Sequence, residues 1–212
     1  MVSFMKLNNK QLWKSVWVSF SNRVLVVYVI VLGIAGGILS IPWLLNSQHA
    51  IGSVSLGAWV TWPDQGTEKI DPYSLAVINN NGDIPLGAGE GVLFKALTDS
   101  NGLRLMSSCQ YVIGSTVPSA RYWTMTFHKA DGKTMITTLE RKGFTSTEII
   151  RDENGEFEIY ASSAPHYGNW MQLDGKGNFE IFLRLYDLPA SFNVSTMKTG
   201  ALPEIIRKGC AS

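Results

Sequence analysis

The sequence predicts a mainly β fold: a β-sandwich, jelly-roll-like in its short strands and turns, preceded by one transmembrane α-helix. Three observations predict it. Val24 to Leu45 (VLVVYVIVLGIAGGILSIPWLL) is a 22-residue apolar run without a charge. Beyond residue 70 the apolar residues alternate in short runs with a period of two, which is the strand signature. Gly, Asn and Asp clusters separate those runs, and helix-length patterns are few. At 45% hydrophobic and 17% charged residues, the chain has the composition of a folded protein.

The apolar run comes first. A helix of that length spans the roughly 30 Å hydrocarbon core at about 1.5 Å per residue. A cleaved signal peptide has a shorter apolar region, about 7 to 15 residues, with small residues before the cut. Here Gln48-His49-Ala50 would put a bulky polar side chain three residues before the cleavage point. A core helix of this length is seldom uncharged on every face. Lys6, Lys10, Lys14 and Arg23 all precede the run, and the next basic residue is Lys69. The positive-inside rule then places residues 1–23 in the cytoplasm, 24–45 in the membrane and the rest outside. Trp13, Trp17 and Trp43 suit the two interfaces, and Gln11 to Phe20 suits a short helix lying along the inner surface. Gly33 and Gly37, like Gly36 and Ser40, have the small-xxx-small spacing that lets two such helices approach as a homodimer, although glycine is common in membrane helices.

Residues 46–70 read as a tether entering a first strand near Val54 to Trp62. Asp71-Pro72 has the chemistry of a helix start, with Tyr73, Ala76 and Val77 as its apolar face and Asn79 to Gly82 as its stop. Strands are then expected at Val92 to Leu97, Leu103 to Ile113, Tyr122 to His128, Thr134 to Leu139, Glu156 to Ala161 and Phe179 to Asp187. Turns at Asp99 to Gly102 and Asp131-Gly132 punctuate them. The spacing of Thr145 and Glu148 suits a brief helical turn. Trp123, Met125 and Phe127 share one strand face, as do Phe179, Ile181, Leu183 and Leu185. Residues 71–208 form one β domain on this view.

The ordered motifs from Asp71 onward resemble a bacterial family of domains of unknown function, DUF1214. They are Asp71-Pro72-Tyr73, Leu86 to Gly91, Asp99 to Gly102, Cys109-Gln110-Tyr111, Pro118 to Trp123, Asp131-Gly132, Asn169-Trp170 and Arg184 to Asp187. The resemblance implies a β-sandwich module standing alone behind a membrane helix in Gram-negative bacteria, on the periplasmic side of the inner membrane. It implies no reaction.

The residues themselves offer no catalytic signature. There is no Gly-x-Ser-x-Gly elbow, and Gly87 to Gly91 matches neither a dinucleotide nor a P-loop fingerprint. His49, His128 and His166 have no zinc-site spacing, so no metal and no cofactor are expected. Beyond residue 46 acidic residues slightly outnumber basic ones, which leaves no footprint for nucleic acid. Cys109 and Cys210 allow one bridge in an oxidising compartment or two thiols. The position of Cys210 at the fraying end of the chain weighs toward thiols.

What remains is a polar-aromatic strand face. Tyr122, Thr124, Thr126 and His128 lie on one strand, and Phe182, Arg184 and Tyr186 on another. The candidate ligand-binding residues are Arg184, Tyr186, Tyr122, Trp170 and Glu90, serving a glycan, a lipid headgroup or an envelope protein. The bland reading is a solvated sheet face, with Arg184 bracing an acid such as Glu90 or Asp71. The expected function is a membrane-anchored periplasmic binding or accessory module of the bacterial cell envelope. The alternative is an envelope hydrolase working through a carboxylate such as Glu90 or Asp187.

Overall fold

The computed structural model of the chain describes residues 9–45, 52–80, 86–87, 89–130, 132–135 and 137–210. Tether residues 46–51, the Asn81-Gly82 stop and Asp131 lie outside the described residues, as do the side chains of Trp13, Trp17 and Trp43. Two compact units result, 1–46 and 47–212.

The first unit is one continuous helix, α1 (Asn9–Leu45). The separate surface helix expected at Gln11 to Phe20 is absorbed into it, because no Gly or Pro interrupts residues 9–32. Within it, 22–40 has a mean hydropathy of 2.2 and is long and apolar enough to cross a membrane. Its large apolar side chains from Val24 to Leu39 are all more than half exposed, unlike those of a core helix.

The second unit contains β1 (Val54–Leu56), β2 (Trp59–Thr61), α2 (Pro72–Asn80), β3 (Gly91–Ala96), β4 (Cys109–Ser115), β5 (Tyr122–Lys129), β6 (Gly143–Thr145), β7 (Phe157–Ser162), β8 (Asn169–Gln172), β9 (Phe179–Tyr186) and β10 (Glu204–Cys210). The strands form a six-stranded sheet, β1-β2-β3-β9-β5-β6, and a four-stranded sheet, β10-β4-β7-β8. Every pairing is antiparallel except β7 with β8. The two sheets share one apolar core. Trp123, Met125 and Phe127 of β5 and Ile181, Leu183 and Leu185 of β9 enter it from one side, with Tyr111, Ile113, Phe157 and Ile159 on the other. Trp123 stacks on Phe157 at 5.1 Å, and Tyr111 meets Phe179 edge-on at 5.6 Å. The expected β-sandwich and both alternating trios are therefore present.

Four local expectations change. The first strand is a hairpin, β1 and β2, turning at Gly57-Ala58. The strand expected at Leu103 to Ile113 begins only at Cys109. Before it, side chains satisfy the backbone in place of a ladder: Asn101 N–H and Leu103 N–H donate to Asp99 Oδ1, and Met106 N–H donates to Tyr111 Oη. Among the described residues of 134–139 there is no strand, and Thr134 alone bridges back to His128. Gly143 takes the place beside β5, where a Cβ would sit 2.0 Å from Met125 O. Finally, α2 buries Ser74, Val77 and Ile78 while Tyr73 and Ala76 face outward.

Cys109 and Cys210 are joined in a disulfide, which corrects the leaning toward thiols. Cys210 is held in place because β10 pairs with β4 from Glu204 to Cys210, with one register shift between Arg207 and Gly209. Ile205 is in the core, its N–H donates to Ser100 Oγ, and its carbonyl accepts from Ser100 N–H. Arg207 Nε lies 2.9 Å from the fully buried Asp99 carboxylate.

Candidate functional site

Pleating puts every second residue of β3, β9 and β5 on the outer face of the six-stranded sheet. The register sets Gly91, Tyr186 and Tyr122 in one row, Leu93, Arg184 and Thr124 in the next, and Lys95, Phe182 and Thr126 in a third. The two halves of this face differ.

One half is closed. Lys95 and Glu180 form a buried ion pair at 2.8 Å. Phe182, expected to be solvated, is only 3% exposed. The His128 ring stacks on it at 4.4 Å, and the Lys95 ammonium stands 4.9 Å from its centre. Burial there completes the packing and leaves no room for a ligand.

The other half is open. A concavity of about 490 Å³ is lined by Arg184 and Tyr186 together with Thr124, Thr126, Thr145, Lys142 and Glu140. Arg184 is half-buried, donates to Thr126 Oγ1 at 3.2 Å, and holds its guanidinium carbon 5.3 Å from the Phe182 ring. Among the described residues it has no carboxylate partner, so neither Glu90 nor Asp71 braces it. Tyr122 and Tyr186 sit opposite each other with ring centres 5.9 Å apart. A guanidinium with unused donors, flanked by hydroxyls and tyrosines, suits an anionic group with a sugar-like body.

The structure thus brings Arg184, Tyr186 and Tyr122 together. Glu90 lies at the end of the same row through its backbone, where its carbonyl accepts from Asp187 N–H. Its exposed carboxylate points to its own turn, accepting from Gly87 N–H at 3.3 Å. Trp170 is elsewhere. It lies on β8 in the other sheet, and its Nε1–H donates to the carbonyl and hydroxyl of Ser162. Its neighbour Asn169 bonds Ile150 N–H, Ile150 O and Glu158 O, which makes that motif a clamp on the chain path. Sequence reasoning missed Lys142 and Thr145, because they enter with a three-residue strand carrying almost no alternation.

Neither Glu90 nor Asp187, the carboxylates expected for hydrolysis, lines this concavity. Asp187 is exposed and pairs with exposed Arg121 at 3.2 Å, while Glu90 caps a turn. Among the described residues, no three His, Cys, Asp or Glu side chains are grouped to hold a metal.

Residues 90–190 match the family described as "Protein of unknown function (DUF1214)", the family that the motifs resemble. The VPA0106 protein from Vibrio parahaemolyticus is similar in structure, with a TM-score of 0.50 and 21% identity over 66% of this chain. An uncharacterized protein from Burkholderia cenocepacia is similar at a TM-score of 0.45 and 18% identity over 82% of this chain. This chain spans only 36% of the first of these proteins and 41% of the second. No curated protein matches the sequence. The likeness to the Vibrio protein shows a shared fold.

Proposed function

We propose that this DUF1214-type chain is a single-pass, membrane-anchored binding module of the bacterial cell envelope. Its β domain lies on the periplasmic side of the inner membrane, and the Arg184–Tyr186 concavity receives an anionic group of its ligand. The observation that carries the binding reading is Arg184 itself: a half-buried guanidinium on the wall of an open concavity that Lys142 and Glu140 also line, bonded to one threonine and, among the described residues, ion-paired to no acid. An incoming anion would engage the guanidinium donors that Thr126 leaves open, with Lys142 on the same lining adding a second cation. Location is supported by the apolar helix, by the basic residues that precede it, and by a disulfide of the kind found in oxidising compartments. Association of two anchors through Gly33 and Gly37 belongs to the same proposal.

Thermal shift tests it on the full-length protein in detergent micelles. Glucuronate and glucose 6-phosphate should raise the unfolding midpoint, and glucose should not. Arg184→Ala should abolish that response while leaving the midpoint without ligand within about two degrees, the range for a surface change. If Arg184→Ala itself removes more than about 2 kcal/mol of stability, the arginine is a brace and the site reading fails.

A further inference from the structure

The outer face of the four-stranded sheet carries a second concavity, about 910 Å³ in volume, that the proposed anion site does not use. It arises from the unusual pairing of β7 with β8. To run parallel to β7, the chain leaving Ser162 must return to the level of Ile159, where Asn169 pairs. It returns across the outer face, and this brings His166 onto Tyr160 with ring centres 3.6 Å apart. Tyr167 stacks on His166 at 4.3 Å and is 81% exposed, so a large aromatic ring stands in water at the end of a three-ring stack.

The rest of the groove is apolar below and acidic at the sides. Val112 and Ile206 line it from β4 and β10. Gly114 lies opposite Glu158, and a Cβ there would meet Phe157 O at 3.0 Å and Glu158 Cγ at 3.2 Å. Glu158 accepts a hydrogen bond from Tyr160 Oη at 2.8 Å, and this bond, with burial adding to it, raises the Tyr160 pKa above its ordinary value. Glu204, Glu156 and Asp152 also line the concavity, although Asp152 Oδ1 accepts from the Asn154 and Glu156 N–H groups of its own loop. The lining cation, Arg151, is turned to its own loop, donating to Gly155 O and lying over Phe157.

We propose that this groove binds a ligand presenting a protonated amine beside a flat, ring-like surface, such as an amino sugar. The carboxylates alone would be a solvated rim. Their convergence with an exposed aromatic stack over an apolar floor supplies both things such a ligand needs. Aromatic faces attract cations, and the carboxylates add charge-assisted hydrogen bonds. The same carboxylates reject the anions that Arg184 attracts on the opposite sheet, so the two sites select opposite charges.

Titration of the full-length protein in micelles with the glucosamine trimer and the N-acetylglucosamine trimer tests this, since the two differ in charge and share the ring faces. The free-amine trimer should bind at least about tenfold tighter, and its affinity should fall as salt rises from about 50 to 500 mM. Glu158→Gln keeps an acceptor for Tyr160 and removes only the charge, and Tyr167→Ala changes an exposed ring. Each should weaken binding about fivefold or more while the unfolding midpoint and the response to glucuronate stay unchanged. Equal binding of the two trimers would overturn the cation reading. No binding of the free-amine trimer would remove the site. An equal loss in Glu68→Gln, outside the groove, would reduce the effect to diffuse attraction by an acidic surface. Loss of the glucuronate response in Arg184→Ala leaves this outcome untouched, so the two proposals fail separately.

Discussion

Three arginines show how much the surroundings decide what one side chain does. Arg207 meets a fully buried carboxylate, Asp99, and lies over Tyr111, so removing either partner would strand a charge in the interior. Arg121 pairs with Asp187 where both side chains are mostly in water, an arrangement worth little. Arg184 has neither burial with an acid nor full solvation, and the proposed site rests on that intermediate state. Asp71 shows the same dependence in its pKa. The Ser74 side-chain hydrogen bond, then the Ser74 backbone N–H at the start of α2, with a further contribution from Tyr73 N–H, hold its carboxyl below its ordinary value against an opposing effect of burial. A group depressed in the folded state stabilises fully above its unfolded pKa, and that contribution is lost as pH falls through the lower, folded pKa. Asp71→Asn keeps a capping acceptor but cannot ionise. Its midpoint should therefore lie below that of the parent at pH 7, and the gap should close as the buffer is taken below about pH 4. A gap of constant size across that range would show that the carboxylate charge contributes nothing.

Strand β9 ties the sheet together, pairing with β3 on one side and β5 on the other. Leu183 is fully buried at its centre, opposite Phe94 and Met125. Leu183→Ala should cost about 2 to 5 kcal/mol, measured by urea unfolding at constant slope. A cost under about 1 kcal/mol would mean that the intersheet core closes over the gap. The alternation of β5 and β9 was legible in the sequence because Trp123, Met125 and Phe127 of one strand and Phe179, Ile181, Leu183 and Leu185 of the other are all apolar at alternate positions. Strands β6 and β8 were not, since three or four residues are too few for a period to show, and neither was β10, because Ile205 is the one buried residue of its seven. The candidate site divides along the same line. Arg184, Tyr186 and Tyr122 sit on long strands whose register follows from their pattern, so their meeting could be anticipated. Trp170 could not be placed, because its strand pairs in parallel after a six-residue return, a connection much shorter than parallel pairing ordinarily needs. The burial of Phe182 escaped for another reason: the cover over it comes from Lys95 and His128, polar residues that sequence patterning assigns to solvent.

For the molecule as a whole, the apolar helix and the disulfide bear on one part of the proposal, that the helix is an anchor and the β domain lies across the membrane from the N-terminus. The helix alone leaves the direction open, and the basic residues before it supply one vote. The disulfide supplies an independent one. It closes a sequence separation of 101 residues and holds the last strand to the four-stranded sheet, so its loss should cost about 2 to 5 kcal/mol. Reducing compartments do not ordinarily sustain such a bond. An alkaline phosphatase reporter fused after Ser212 should accordingly be active. The full-length chain taken directly from acid-quenched cells should migrate as the oxidised species, and Cys109→Ser should abolish that mobility shift and lower the unfolding midpoint. The two measurements constrain each other. An inactive phosphatase, an active cytoplasmic reporter at the same position and reduced cysteines in quenched cells would together reverse the topology and remove the envelope reading. Active phosphatase with cysteines still reduced would keep the topology and show that the bridge forms only on later oxidation, in which case β10 is held in the cell by Arg207, Ile205 and its ladder to β4 alone.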